Sequence, residues 1–132
     1  ACMGLNRRLH KDFIKAQKKI NHGEIGKIEM LHITSRSSSP PSPESVPLSG
    51  GMIREKGAHF YDLAYWFIGS EPVEVYGSGK CLIDQKLANY GDVDTASLII
   101  NFDCGAIASF SFSTDIIPTA GPNVSSFIKF IL

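Results

Sequence analysis

Several features that would point directly to a function are missing from this sequence of 132 residues. Its 13 lysines and arginines balance 13 aspartates and glutamates, so no excess of positive charge indicates a nucleic acid or a membrane as partner. Three cysteines without a CxxC pair argue against a disulfide framework and a zinc site, and they suit a reducing compartment. No apolar run approaches the roughly 20 residues of a membrane span. These absences predict a cytoplasmic protein.

A nucleotide-binding glycine loop is also missing. Gly77-Ser78-Gly79 lacks the longer spacing of GxGxxG and does not open a predicted helix, so it is not a phosphate loop. The hydrophobic fraction of 43% is nevertheless sufficient for a folded core. The length fits one ordinary domain.

The periodicity of apolar residues predicts the secondary structure. Helices are predicted over residues 11–21 and 53–68. Strands are predicted at residues 3–5, 27–36, 73–80, 93–102 and 106–113, and residues 127–132 form either a last strand or a frayed end. Four prolines make residues 37–49 a loop that is neither helix nor central strand. The pattern favours an α+β fold, a mainly antiparallel sheet with helices packed on one face.

The candidate site residues lie on the second predicted helix. Glu55 and His59 are four positions apart and Asp62 is three beyond, so all three share one face. Histidine exchanges a proton near neutral pH, and neighbouring carboxylates can orient and tune its ring. A solvated polar stripe has the same pattern. Two features favour a site: the rest of the helix is apolar, and Gly50-Gly51 leaves room for a ligand to approach the backbone.

Two further interpretations stay open from the residues alone. No pair of histidines has a metal-ligand spacing, so we expect no metal, although Glu55, His59 and Asp62 form a weaker candidate set. Arg7 and Arg8 either clamp an anion or a hydroxyl-rich ligand or are simply surface charge.

A set of short segments resembles the Gfo/Idh/MocA oxidoreductases, and within them the inositol 2-dehydrogenases. The resemblance extends over roughly residues 3–113. The segments that carry it are Gly4-Leu5-Asn6-Arg7-Arg8, Gly23-Glu24-Ile25-Gly26, Thr34-Ser35-Arg36 with the proline-rich loop, Ser49-Gly50-Gly51, His59-Phe60-Tyr61-Asp62, Glu71-Pro72-Val73-Glu74-Val75 and Gly91-Asp92-Val93-Asp94-Thr95-Ala96.

The resemblance implies a reaction and roles for the site residues. Family members transfer a hydride between NAD or NADP and a hydroxyl-bearing carbon of a small sugar or polyol such as myo-inositol. His59 would be the catalytic base that takes the hydroxyl proton, and Glu55 would orient it where the family usually has aspartate. Arg7 and Asp62 would contact the substrate.

The resemblance also implies a domain organisation. Residues 1–25 would be a remnant of the last strand and helix of a Rossmann domain, and residues 26–132 an incomplete C-terminal substrate and oligomerisation domain. The family's dinucleotide fingerprint and its Glu-Lys-Pro lysine are not among the 132 residues, so we expect neither tight NAD(P) binding nor activity from this chain alone. A homo-oligomer formed through the sheet is also expected.

The alternative to a dehydrogenase fragment is a non-catalytic binding or oligomerisation module. It would use the predicted sheet face that carries Ile107 and the serines at positions 109, 111 and 113.

Overall fold

The computed structural model describes residues 4–37 and 41–114 and the backbone of residues 127–131. The helices are α1 (Lys11–Asn21), the short α2 (Val46–Ser49) and α3 (Gly51–Ile68), with 3₁₀ turns at Asn6–Leu9, Pro43–Ser45 and Gln85–Tyr90. The strands are β1 (Met30–Arg36), β2 (Pro72–Lys80), β3 (Thr95–Phe102), β4 (Ile107–Ser113) and β5 (Phe127–Ile131).

The five described strands form one sheet in the order β2-β3-β4-β1-β5. The β2–β3, β3–β4 and β1–β5 pairs are antiparallel, which confirms the predicted mainly antiparallel sheet. The central β1–β4 pair is parallel and aligns Met30 with Ile107. Of the two alternatives for residues 127–132, the last strand is present as β5, whereas residue 132 lies outside the described residues.

The core lies between the helices and one face of the sheet. Ala108, Phe110 and Phe112 of β4 are fully buried, whereas the serines between them are partly exposed on the opposite face. The serines at positions 109 and 111 therefore share one face of β4, opposite the buried one, as predicted. Phe60 of α3 is buried against this face, and each such phenylalanine contributes about 2–3 kcal/mol. The other core residues of α3 are Met52, Leu63, Ala64 and Phe67. Helix α1 packs against this core through the partly buried Phe13, Ala16 and Ile20.

The main helices begin and end close to their predicted limits. The backbone N–H of Asp12 donates to Nδ1 of His10 at 3.4 Å at the start of α1, and Gly23 follows the helix with a φ of +72°. Helix α3 begins at Gly51, two residues before its predicted start, and ends where Gly69 adopts a φ of +67°. Among the described residues, no helix is long and apolar enough to cross a membrane.

Two of the predicted elements are wrong. The segment 37–49 contains a 3₁₀ turn and the helix α2, because Pro43 and Pro47 stand in the first turn of each, where the missing N–H is not needed. The predicted strand at residues 3–5 is not formed at Gly4 and Leu5. A strand needs a neighbour for its backbone hydrogen bonds, and none of the five described strands pairs with these residues. Met3 lies outside the described residues.

Candidate functional site

The N-terminus of α3 is closed by a carboxylate from the same chain. The Met52 N–H donates to both Asp92 carboxylate oxygens, at 3.0 and 3.1 Å. Gly51 has a φ of +77°, and a Cβ there would lie 2.3 Å from Asp92 Oδ1. The prediction that Gly50-Gly51 admits a ligand is therefore wrong at Gly51, because the Asp92 carboxylate takes that space. A carboxylate here satisfies an end N–H and complements the helix dipole.

A second aspartate holds the loop that carries Asp92. The Asp94 carboxylate accepts hydrogen bonds from the N–H groups of Leu82, Ile83 and Asp84, at 2.9, 2.8 and 2.8 Å. Burial would raise the pKa of Asp94, but these hydrogen bonds outweigh it and the pKa is lowered. The two aspartates are therefore structural and fix the position of α3.

His59 is partly buried. Its Nδ1 atom is buried and has no hydrogen-bond partner among the described residues. Glu55, one turn earlier, is exposed, and no hydrogen bond or ion pair joins it to His59 in the ranges 4–37 and 41–114. The structure therefore places the two residues on one face of α3 without connecting them. A buried imidazole nitrogen without a partner among the described residues is uncommon, and a functional role is one reason to keep it.

Asp62 is engaged by an arginine from the N-terminal 3₁₀ turn. Its carboxylate accepts hydrogen bonds from Arg8 Nε at 2.8 Å and from Arg8 Nη2 at 2.5 Å. The hydrogen bond from Arg8 to Asp62 raises the pKa of the arginine. The partners are 54 positions apart, so the sequence around either residue carries no local signal of this contact. The role of Asp62 in substrate binding stays a prediction.

Arg7 lies over a ring of α3. Its guanidinium carbon is 5.1 Å from the centroid of the Phe60 ring, and that of Arg8 is 5.7 Å from the Trp66 ring. These contacts bring the arginine pair beside the helix turn that carries His59. Arg7 thus contacts α3 at Phe60 and Arg8 contacts it at Trp66 and Asp62, while the roles of Arg7, His59 and Asp62 in a common site stay a prediction.

Lys56 is a residue that sequence analysis missed. It is half-buried, and its ammonium donates a hydrogen bond to the Ser37 hydroxyl, just after β1. Burial lowers the pKa of Lys56, whereas the charge of Glu55 opposes this shift. The available signal was a lysine four positions before the buried Phe60, close to the apolar stripe of the helix.

Two further observations on the described residues concern a metal site and a groove. No group of three histidine, cysteine, aspartate or glutamate side chains there is arranged to hold a metal ion. An apolar groove of about 640 Å³ lies between Tyr61 and strand β2, and none of the predicted site residues lines it. The groove is therefore separate from the candidate site.

Comparison with known proteins reveals similarity over most of the chain. Residues 13–124 match the model described as "GFO/IDH/MocA C-terminal domain". The chain is 38% identical over 104 residues to the myo-inositol 2-dehydrogenase of Thermotoga maritima. The aligned region covers 79% of this chain and 31% of that protein. It is 38% identical over 111 residues to the inositol 2-dehydrogenase of Rhizobium meliloti, covering 84% of the chain and 34% of that protein.

Solved structures give the same result. A putative myo-inositol dehydrogenase from Sinorhizobium meliloti superimposes with a TM-score of 0.86 at 35% identity, covering 95% of this chain and 37% of that one. A scyllo-inositol dehydrogenase from Lactobacillus casei, with bound NAD(H) and scyllo-inositol, shares the fold with a TM-score of 0.78 at 20% identity. That match covers 98% of this chain and 38% of the other. The chain thus spans about a third of the length of these relatives.

Proposed function

The chain belongs to the Gfo/Idh/MocA oxidoreductase family, and we propose that it supplies the substrate side of an NAD(P)-dependent dehydrogenase acting on a small polyol. The reaction is the oxidation of a secondary hydroxyl, in a polyol such as an inositol, to a ketone. The observation that carries the proposal is the partly buried His59, whose Nδ1 has no partner among the described residues, on a helix that Arg7 and Arg8 contact at Phe60 and Trp66.

Oxidation of a secondary alcohol removes a proton from oxygen and a hydride from carbon. In the proposed mechanism, one ring nitrogen of His59 accepts the hydroxyl proton as the general base. Arg7, held over Phe60, donates hydrogen bonds to neighbouring hydroxyls. Glu55 turns towards the ring when substrate is bound and stabilises the imidazolium. Asp62 anchors Arg8 at one wall of the site and presents its remaining lone pairs to a hydroxyl.

The described residues do not fit a nicotinamide dinucleotide. A pyrophosphate binds at a glycine turn leading into a helix N-terminus, and here the N-terminus of α3 is occupied by the Asp92 carboxylate. Gly77 and Gly79 lie within strand β2 rather than in a loop. We therefore propose that residues 1–25 are the end of a Rossmann domain and residues 26–132 the substrate domain. A segment other than these residues provides the hydride acceptor site, and the 132 residues alone are inactive.

A reconstitution experiment tests this proposal. The 132 residues are assayed alone and fused behind the N-terminal portion of the Thermotoga maritima relative, with myo-inositol and either NAD or NADP, by following absorbance of the reduced cofactor. We expect turnover only from the fusion. His59→Gln should lower kcat by about 100-fold or more, whereas the exposed Lys18→Gln should not. Turnover by the unfused chain, or a fusion insensitive to His59→Gln, would contradict the proposal.

A second candidate function is a non-catalytic oligomerisation module. The face of the sheet away from the helices carries a hydrogen-bonded ladder: His32 lies 2.7 Å from the Ser109 hydroxyl and 3.0 Å from the Thr34 hydroxyl. Ile99 and Met30 on the same face are 43% and 36% exposed. Light scattering should then give a dimer or larger species that Ile99→Arg dissociates. A strict monomer would count against this function.

A further inference from the structure

Lys56 carries a charge that no acidic side chain among the described residues balances. The half-buried ammonium donates to the neutral Ser37 hydroxyl, and no carboxylate lies within ion-pair distance of it in the part of the chain that the structure describes. Glu55 is the nearest acid in sequence, but it is exposed and only partly offsets the loss of water around Lys56. A cation removed from water without a counter-charge is costly, and function is one reason to keep it.

Arg7 is a second cation without an ion-pair partner among the described residues. Its guanidinium lies over the ring of Phe60, which is the next residue along the helix surface from Lys56. Arg8 differs, because Asp62 neutralises it. Among residues 4–37 and 41–114, no ion pair joins Arg7 to an acidic side chain. Arg7 therefore lies over Phe60, and Lys56 stands about one helical turn before the proposed base on the same helix.

We propose that Lys56, together with Arg7, binds an acidic group of the substrate, so that the site selects polyols bearing a carboxylate or a phosphate over neutral ones. This inference rests on the proposed function, because the same substrate must present its hydroxyl to His59. An ammonium has three N–H donors, so the bond to Ser37 leaves two for an oxyanion. A neutral hydroxyl could accept those hydrogen bonds but would leave the charge uncompensated.

The test measures ligand binding by the 132-residue chain itself, so that it needs no cofactor. Backbone amide NMR spectra are recorded during titration with two matched pairs: glucose against glucuronate, and myo-inositol against myo-inositol 1-phosphate, at constant ionic strength. We expect the charged member of at least one pair to bind about tenfold more tightly and to shift the amides of Ser37, Lys56 and His59. The pair that shows the larger preference distinguishes a carboxylate from a phosphate ligand.

Variants assign the preference to the ammonium. Lys56→Met should abolish the preference and Lys56→Arg should keep part of it, whereas Lys18→Met, at an exposed lysine of α1, should leave it unchanged. If Lys56→Met does not fold, the comparison of charged with neutral ligands in the unaltered chain still tests whether the site prefers an acidic ligand. Acetate and inorganic phosphate serve as anions without a polyol.

The outcomes separate this inference from the proposed function. Equal affinity within both pairs, with shifts around His59, would overturn the role of Lys56 and leave the polyol site standing. Binding of acetate or phosphate as tightly as of the charged polyols would show an adventitious anion only and overturn the inference. Absence of binding by all four ligands would overturn both the inference and the assignment of the polyol site to this chain.

Discussion

The backbone N–H of Met52 and the carboxylate of Asp92 are joined by hydrogen bonds of 3.0 and 3.1 Å across 40 positions of sequence. This contact fixes the start of α3, the helix on which Glu55, Lys56 and His59 lie. The position of the candidate site therefore depends on a residue that is not part of it. Substitutions at this contact should therefore change the free energy of unfolding.

Asp92→Asn should destabilise the fold. The substitution removes the negative charge next to the helix N-terminus and one of the two acceptor oxygens, at a buried position. We expect a loss of about 1–3 kcal/mol in the free energy of unfolding, measured by urea titration. Asp103→Asn, at an exposed turn residue, is the matched control and should change the value by less than about 0.5 kcal/mol. Equal effects of the two substitutions would contradict the capping role.

Gly51→Ala should be costly for two reasons that a double-mutant cycle separates. The new Cβ would collide with the Asp92 carboxylate, and the φ of +77° is unfavourable for alanine. We expect a loss of about 2 kcal/mol or more in the original chain and a smaller loss in an Asp92→Ala background, where only the backbone strain remains. Gly4→Ala, where no atom lies within 4 Å of the added Cβ, provides the control. If the losses from Gly51→Ala and Asp92→Ala simply add, the contact between the new Cβ and the Asp92 carboxylate contributes nothing to the loss of stability.

Asp94 should make stability depend on acid pH. Its pKa is lowered in the folded chain, because the hydrogen bonds from Leu82, Asp84 and Ile83 outweigh burial. The unfolded chain then binds the proton more readily, so the stabilisation is complete above the ordinary aspartate value of about 4 and is lost as pH falls below it through the folded pKa. Melting temperatures between pH 3 and 7 should show that Asp94→Asn destabilises at neutral pH and that its deficit shrinks in acid. A deficit that is constant across this range would contradict the assignment.

The Arg8–Asp62 contact should contribute modestly to stability and more strongly to the site. The arginine side chain is 38% exposed and that of the aspartate 17%, so solvent screens the pair and a coupling energy of about 0.5–1 kcal/mol is expected. A double-mutant cycle with Arg8→Gln and Asp62→Asn measures it. In the active fusion, Arg8→Gln should also raise KM, because the 3₁₀ turn that carries Arg7 loses its anchor. An unchanged KM would show that Arg7 is positioned without its neighbour.

The sequence predicted those features whose cause is local. Helix α1 follows from apolar residues that recur every three to four positions, and strand β4 from apolar residues at every second position. The family motifs likewise indicated the region around His59. The prediction over α2 fails for a local reason too, because the first turn of a helix tolerates proline and Pro47 stands there.

The rest could not be predicted, because the partners are far apart in the sequence. Nothing near Gly51 indicates that Asp92 will occupy the space beside it, and nothing near Asp62 indicates Arg8. The burial of Lys56 depends on where β1 ends relative to α3. A local pattern shows which residues share a face, but the tertiary fold decides what that face meets.

The parallel pairing of β1 with β4 has a consequence for synthesis of the chain. His32 lies next to Ser109, 77 positions later. At about 5–20 residues per second, a ribosome needs roughly 4–15 s to make that stretch. During this time Leu31 and Ile33 have no sheet to enter, so the newly made strand is the segment of the nascent chain that we expect chaperones to protect.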